Sequence, residues 1–142
     1  MRIVLDTDVI VRALRSAESA SAALLRAARA GRVTLLASLA NALEYEDVLG
    51  RAIVLAGTPW TSEEGARFAR TVAALCEPVL IHKSWRPQLK DPGDEHLLET
   101  ALNGGADAIV TFNQRDFAPA VQLGLRLALP RDILALLESP ND

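Results

Sequence analysis

Four short runs, RIVL at 2–5, VTLLA at 33–37, PVLI at 78–81 and DAIVT at 107–111, are apolar almost from end to end, and segments of helical character separate them. A half-solvated strand alternates polar and apolar residues. A strand apolar at successive positions has no face for water and must be covered on both sides. Strands of this kind alternating with helices form parallel sheets joined by crossovers. LRLAL at 125–129 is a candidate fifth strand. The expected fold class is therefore α/β, a three-layer α/β/α sandwich around a central parallel sheet of four to five short strands. Half of the 142 residues are hydrophobic and only 4% are aromatic, so the core is expected to be aliphatic. The length suits one domain over 1–142.

The intervening segments carry helix signals. VIVRALRS forms a short helix, and Glu18 to Ala30 a second that stops at Gly31. Ser38 caps a third, LANALEYEDVLGRAIVLA over 39–56, with apolar residues at helical spacing. TSEE at 61–64 has the form of a capping box and opens a helix to about Cys76. HKSWRPQLKDPGD is a polar loop, and EHLLETAL is a helix ending at Gly104 and Gly105. FNQRDF is a loop, and PRDILALLES a last helix with Pro130 near its first turn.

Several function classes are excluded at this level. The charged fraction of 23% fits a folded chain. No apolar stretch reaches the roughly 18 residues of a membrane span, and the start MRIVLDTD does not resemble a signal peptide. Cys76 stands alone, so no intrachain disulfide forms and a reducing cytoplasm is the expected compartment. Its apolar setting, TVAALC, suggests a buried, inert thiol. The net charge of −3 does not attract a polyanion, so such a substrate would need local basic groups or bound cations.

In open parallel sheets, ligands sit beyond the carboxyl ends of the strands. Acids recur there. Asp6 lies just past the first strand. Asp8 reads most simply as the N-cap of VIVRALRS, and Thr7 as a local hydrogen bonder or a holder of a neighbouring carboxylate. Glu44 lies in the helix after the second strand. Glu46 and Asp47 lie about 200° and 300° around that helix from Glu44, so the three cannot point one way. Asp91 caps the helix that begins at Pro92, with Asp94 in a capping-box-like position. Thr111, Asn113 and Asp116 end the fourth strand.

Taken singly, each acid reads as a cap or a solvated side chain. Taken together, Asp6, Glu44, Asp94 and Asp116 come from four segments to one edge. Such a cluster is unfavourable unless cations sit in it. Hard divalent ions, Mg²⁺ or Mn²⁺, suit all-oxygen donors. A pair of ions roughly 3.5–4 Å apart would suit in-line hydrolysis of a phosphodiester.

LDTDVIVRAL, ALEYEDVLGR and KDPGDEHLLETALNGGADAIVTFNQRDF, in this order over nearly the whole chain, resemble the PIN-domain ribonucleases. The likeness is strongest to the toxin components of bacterial toxin–antitoxin pairs (VapC-like). The resemblance implies a three-layer α/β/α domain and Mg²⁺- or Mn²⁺-dependent cleavage of RNA, with one or two ions. It also implies a cognate antitoxin protein and a homodimer as partners. Asp6, Glu44 and Asp94 match the family's first three acids, Asp91 a further acid, and Thr111 its Ser/Thr at the end of strand four. Two positions depart from the pattern. The family often has Asn where this chain has Asp8. Its fourth acid usually stands where this chain has Asn113, with Asp116 three residues on.

RNA contact needs cations near that edge, and Arg12, Arg15, Arg51, Lys90 and Arg115 are candidates by proximity to the motifs. His82 and His96 form no metal motif, and Trp60 and Trp85 read as packing or loop anchors. Two other functions remain open. Because of Asn113, the chain could be a PIN-like module of weakened catalysis that binds protein or RNA. LDTDV also mimics the Asp-x-Asp nucleophile of a haloacid-dehalogenase-type phosphatase, although the later order of threonine, lysine and acids does not follow that pattern.

Overall fold

The computed structural model describes residues 1–84 and 88–139. Its five strands are β1 (Arg2–Leu5), β2 (Thr34–Ala37), β3 (Glu77–Pro78), β4 (Ala108–Val110) and β5 (Arg126–Ala128). They lie in the order β3-β2-β1-β4-β5, and every pairing is parallel. Ile3 on the central strand faces Leu35 on one side and Ala108 on the other.

The apolar runs divide between two cores. Ile3, Leu5, Leu35, Ala37, Ala108 and Val110 turn to one face, under α1 (Thr7–Arg15), α2 (Ala20–Arg29), α3 (Leu39–Leu49), α5 (Ser62–Leu75) and α7 (Pro130–Leu137). The residues between them, Val4, Leu36 and Ile109, turn to the other face. There they meet α6 (Pro92–Gly104) and the short 3-10 helix Ala118–Leu123. This alternation is why Ile3 to Leu5, Leu35 to Ala37 and Ala108 to Val110 include no polar residue: both sides of the pleat are covered there. The architecture is the three-layer α/β/α sandwich expected from the pattern.

Chain order fixes where a site can form. From β1 the chain moves outward to β2 and β3, then returns to lay β4 against the opposite side of β1. The direction of winding reverses between β1 and β4, and the crevice beyond their carboxyl ends is the switch point of the sheet.

Several boundaries differ from the sequence reading. Asp8 is not the cap of α1. Asp6 takes that place in extended conformation (φ −68°, ψ 152°), which puts Asp8 in the first helical turn. The helix expected over 39–56 breaks at Gly50, and a single turn, α4 (Ala52–Leu55), follows. The break lies where α5 crosses: a Cβ on Gly65 would stand 2.0 Å from the Leu49 carbonyl oxygen. The strand expected over 78–81 is only Glu77–Pro78. After the Val79 N–H donates to the Ala37 carbonyl, Leu80 and Ile81 turn out to solvent. Ser38, Thr61 and Asp91 cap their helices as expected, but Asp94 does not bond back to close a capping box with Asp91. The 3-10 helix at Ala118–Leu123 carried no sequence signal beyond its proline.

Candidate active site

β1 and β4 end side by side, and the residues just past them are locked together. The Asp6 N–H continues the ladder by donating to the Val110 carbonyl at 2.9 Å. Its carboxylate accepts from the Thr7 N–H at 2.8 Å through Oδ1 and from the Thr111 hydroxyl at 2.7 Å through Oδ2. One side chain therefore caps α1 and ties the ends of both strands.

Glu44 is brought in from α3. The Thr7 hydroxyl donates to Glu44 Oε2 at 2.8 Å. On the next residue, Tyr45, fully buried, donates its phenol to the carbonyl of Leu5, directly before Asp6. The start of α6 closes on the same point. A Cβ on Gly93 would lie 3.2 Å from Glu44 Oε1 and 3.3 Å from Asp91 Oδ1, so glycine lets the helix start approach the carboxylate. Asp91 accepts from the Gly93 N–H at 2.8 Å, and Asp94 follows in the first turn.

The β4 side supplies the remaining groups. The Asn113 N–H donates to the Thr111 hydroxyl at 2.9 Å, and its amide donates to Asp116 Oδ2 at 2.7 Å. Asp8 Oδ2 accepts from the Phe112 N–H at 3.1 Å, while Asp8 Oδ1 is buried without a partner among the described residues.

The acids feel one another. Burial raises Asp6 above the ordinary carboxylate range against the opposing bonds from Thr111 and Thr7, and the charges of Glu44 and Asp116 act in the same sense as burial. Burial pushes Asp94 up to about 6, helped by Asp6, Asp91, Asp116 and Glu44. Asp8 is pushed up to about 7, first by burial and then by Asp6. Asp6, Glu44, Asp94 and Asp116, from four segments, thus share one electrostatic site at the switch point. Groups so placed hold protons or attract a cation.

Among the described residues, no three His, Cys, Asp or Glu side chains form a ready-made cage for an ion. That does not exclude a hard cation from the site. Mg²⁺ characteristically binds through one or two carboxylates, keeps several waters and takes further oxygens from substrate phosphates. The donors here are all oxygen, and among the described residues no cation forms an ion pair with them and one Asp8 oxygen has no partner. This chemistry fits Mg²⁺ or Mn²⁺.

The candidate cations separate into two groups. Arg51 pairs with Asp47 at 2.5 Å, one turn back along the chain. Arg15 donates to the carbonyls of Val54 and Ala56 and so fixes the turn after α4. Arg12, Lys90 and Arg115 form no ion pair among the described residues and line cavities beside the acids. His82 and His96 are exposed. Trp60 packs along an apolar groove between α2 and α5, and Trp85 lies outside the described residues. The Cys76 thiol is half-buried and pushed up to about 12 by burial, which makes it a poor nucleophile.

Some supporting residues gave no usable sequence signal. Tyr45 reads as a core aromatic, and Gly93 as ordinary turn punctuation. Glu95 is buried, and its Oε1 accepts from the N–H groups of Gln88 and Leu89, both at 2.7 Å, so it holds the loop that leads into Asp91. A buried carboxylate at the start of a helix cannot be told from an exposed one by spacing alone.

Residues 2–115 match the family model of the PIN domain. The match includes Asp6, Glu44, Asp94 and Asn113 and stops one residue short of Asp116. No curated protein matches the chain. No helix among the described residues is long and apolar enough to cross a membrane.

Proposed function

This chain belongs to the PIN-domain family, whose members are generally nucleases that use divalent metal ions, and from that premise we propose that it is a Mg²⁺- or Mn²⁺-dependent endoribonuclease. The observation that carries the proposal is the convergence of Asp6, Glu44, Asp94 and Asp116 at the switch point, where burial and then the neighbouring acids raise both Asp6 and Asp94.

In this reading Asp6 and Asp94 are the principal metal ligands, with Glu44 and Asp116 completing the acidic wall. A divalent cation bound there supplies Lewis-acid stabilisation of the charge that builds on the phosphodiester oxygens during hydrolysis. The protein's own part is to pre-organise the carboxylates. Thr111 and the Thr7 backbone hold Asp6 from both sides, the Thr7 hydroxyl orients Glu44, and Tyr45 anchors α3 to the end of β1. Asn113 supplies no charge where the family's fourth acid usually stands. Its amide instead grips Asp116, which brings a carboxylate to that side of the crevice. Asp91 serves chiefly as the cap that sets the position of Asp94.

The resemblance to toxin components extends the proposal: the ribonuclease is the toxin of a toxin–antitoxin pair, acting in the cytoplasm. A cognate antitoxin and a second copy of the chain are its proposed protein partners. The test is RNA cleavage against Mn²⁺ and Mg²⁺ concentration, with Asp6→Asn purified in parallel. Metal-dependent cleavage lost in the variant supports the assignment. Equal cleavage in both proteins points to a contaminant, and none in either on several RNAs favours a binding module of weakened catalysis. Growth arrest on expression of the wild type but not of Asp6→Asn tests the toxin role.

A further inference from the structure

A cavity of about 740 Å³ opens between α1 and α2 immediately beside the acids, with Asp8, Arg12 and Phe112 in its wall. Phe112 follows Thr111, the residue that holds Asp6, and its own N–H is tied to Asp8. Its backbone is thus tied at the site while the residue remains 49% exposed. A lone exposed apolar residue is ordinary, but this one has specific company. Arg12 carries a charge that no acid among the described residues neutralises. Ser21, in the same wall, is 1% exposed, and its hydroxyl has no partner among the described residues.

On the opposite side of the sheet, a second cavity of about 530 Å³ is lined by Lys90 and Arg115 together with Asp91 and Asp116. The acids therefore lie between two hollows, one in each helical layer, and each contains basic side chains. In a chain of net charge −3, this local placement is what a polyanion would meet. A strand crossing the carboxyl edge from one layer to the other would pass over the acids on its way. An aromatic ring beside a guanidinium suits an unpaired nucleotide, because a single strand exposes the faces of its bases and a duplex does not.

We propose that the α1–α2 cavity is a nucleotide subsite of this ribonuclease, in which an unpaired base stacks on Phe112 and a neighbouring phosphate meets Arg12. The proposal rests on the ribonuclease reading above and makes single-stranded RNA the preferred substrate. Arg15, held by backbone carbonyls, shapes the cavity and does not contact the ligand.

The experiment is binding of short labelled single-stranded RNAs by fluorescence anisotropy in Ca²⁺, with one abasic position moved along the RNA. Cleavage in Mn²⁺ is scored separately. Wild-type protein should lose about 10-fold in affinity (range ~5- to 100-fold) at one abasic position. Phe112→Leu should weaken the intact RNA by a similar factor and no longer respond to that abasic position, and Phe112→Trp should bind like wild type. Circular dichroism confirms that the variants fold. Unchanged binding by Phe112→Leu, or an undiminished abasic penalty in that variant, overturns the subsite. If cleavage still depends on Asp6 in that case, the nuclease assignment survives. A Phe112-dependent abasic penalty without cleavage supports the subsite and removes the nuclease assignment instead. No binding of any single-stranded RNA also overturns the subsite, and leaves the exposed ring to a protein partner.

Discussion

Asp8→Asn is expected to stabilise the metal-free protein, by an amount that grows from about pH 4 and is complete above about pH 7. Asp8 sits in the first turn of α1 with one oxygen on the Phe112 N–H and the other buried and unpartnered. Burial, followed by the charge of Asp6, pushes its carboxyl up to about 7 from an ordinary value of 3.8. The sign follows from which state holds the proton. Between about pH 4 and pH 7 the folded protein keeps a proton that the unfolded chain has released, so native stability falls as pH rises through that window. Above it the penalty is complete, and below it the penalty is absent. A shift of about three units corresponds to at most ~4 kcal/mol. The side chain is partly open to solvent, which screens the effect, and the helix N-terminus favours a negative charge. These reduce the expected penalty to about 1–2 kcal/mol.

Asparagine can keep the bond to Phe112 and carries no charge. In EDTA at pH 8, Asp8→Asn should raise Tm by about 3–8 °C for a domain of this size, and at pH 5 the two proteins should melt within about 2 °C of each other. Thermal unfolding followed by circular dichroism at the two pH values measures both differences. The burial of Asp6 and Asp94 also gives the wild type a pH slope, but those groups are present in both proteins and largely cancel in the difference. A variant no more stable than wild type at pH 8, or equally stabilised at both pH values, would refute the reasoning, because Asp8 would then be well solvated in the native state.

Two further outcomes follow from the same geometry. Gly65→Ala should gain about 1 kcal/mol of helix propensity in open surroundings. Here its Cβ would sit 2.0 Å from the Leu49 carbonyl oxygen, so α3 and α5 must separate. The expected result is a Tm lower by about 5 °C or more, with reduced activity because Glu44 and Tyr45 ride on α3; a raised Tm would show that the helices cross less closely. Mn²⁺ affinity, measured by calorimetry, should weaken as pH falls through about 6, where Asp94 takes up its proton, by about 10-fold per unit for each proton displaced. Equal affinity at pH 5 and pH 7.5 would separate the bound ion from Asp6 and Asp94.

Much of the fold was legible because burial on both faces leaves an unmistakable pattern. RIVL, TLLA and AIV have no other way to exclude water, and their parallel alternation with helices follows from the segments between them. Legibility failed where tertiary contact overrides local pattern. The helical spacing of Leu39, Leu43, Val48 and Leu49 runs on past Gly50 to Ala52, yet Ala52 is exposed. The helix stops where Gly65 of α5 meets the Leu49 carbonyl, and that contact is invisible in a local window. Leu80 and Ile81 extend the apolar run of β3, but β2 offers no further residues to pair with them. Which of Asp6 and Asp8 caps α1 is a matter of backbone conformation, and both are good capping residues.

For the site, the individual acids were visible, but the pairing of each acid with its threonine was not. The bond between Thr111 and Asp6 spans 105 residues, and the bond between Thr7 and Glu44 spans 37. Each exists because strand order places β4 beside β1 and α3 over its end. Sequence spacing could place acids near the carboxyl edge and offer Thr7 as a holder of one of them, but it could not show which acid each threonine hydroxyl holds or that a phenylalanine stands exposed beside them.

The double role of Asp6 decides how the site should be probed. The same carboxylate caps α1 through the Thr7 N–H and accepts from Thr111, so removing it confounds a fold change with a chemical one. Alanine at this position would lose a cap worth about 1 kcal/mol, and it would leave the buried Thr111 hydroxyl without its acceptor. Asparagine is as good a cap as aspartate and retains an oxygen for one of the two donors. It removes the charge that a divalent cation would require and the repulsion that adds to burial in raising Asp8 and Asp94. Asp6→Asn should therefore fold at least as stably as wild type in EDTA while losing metal binding. Because loss of the fold would abolish both properties together, a well-folded variant that no longer binds Mn²⁺ assigns Asp6 to the metal and not merely to the helix.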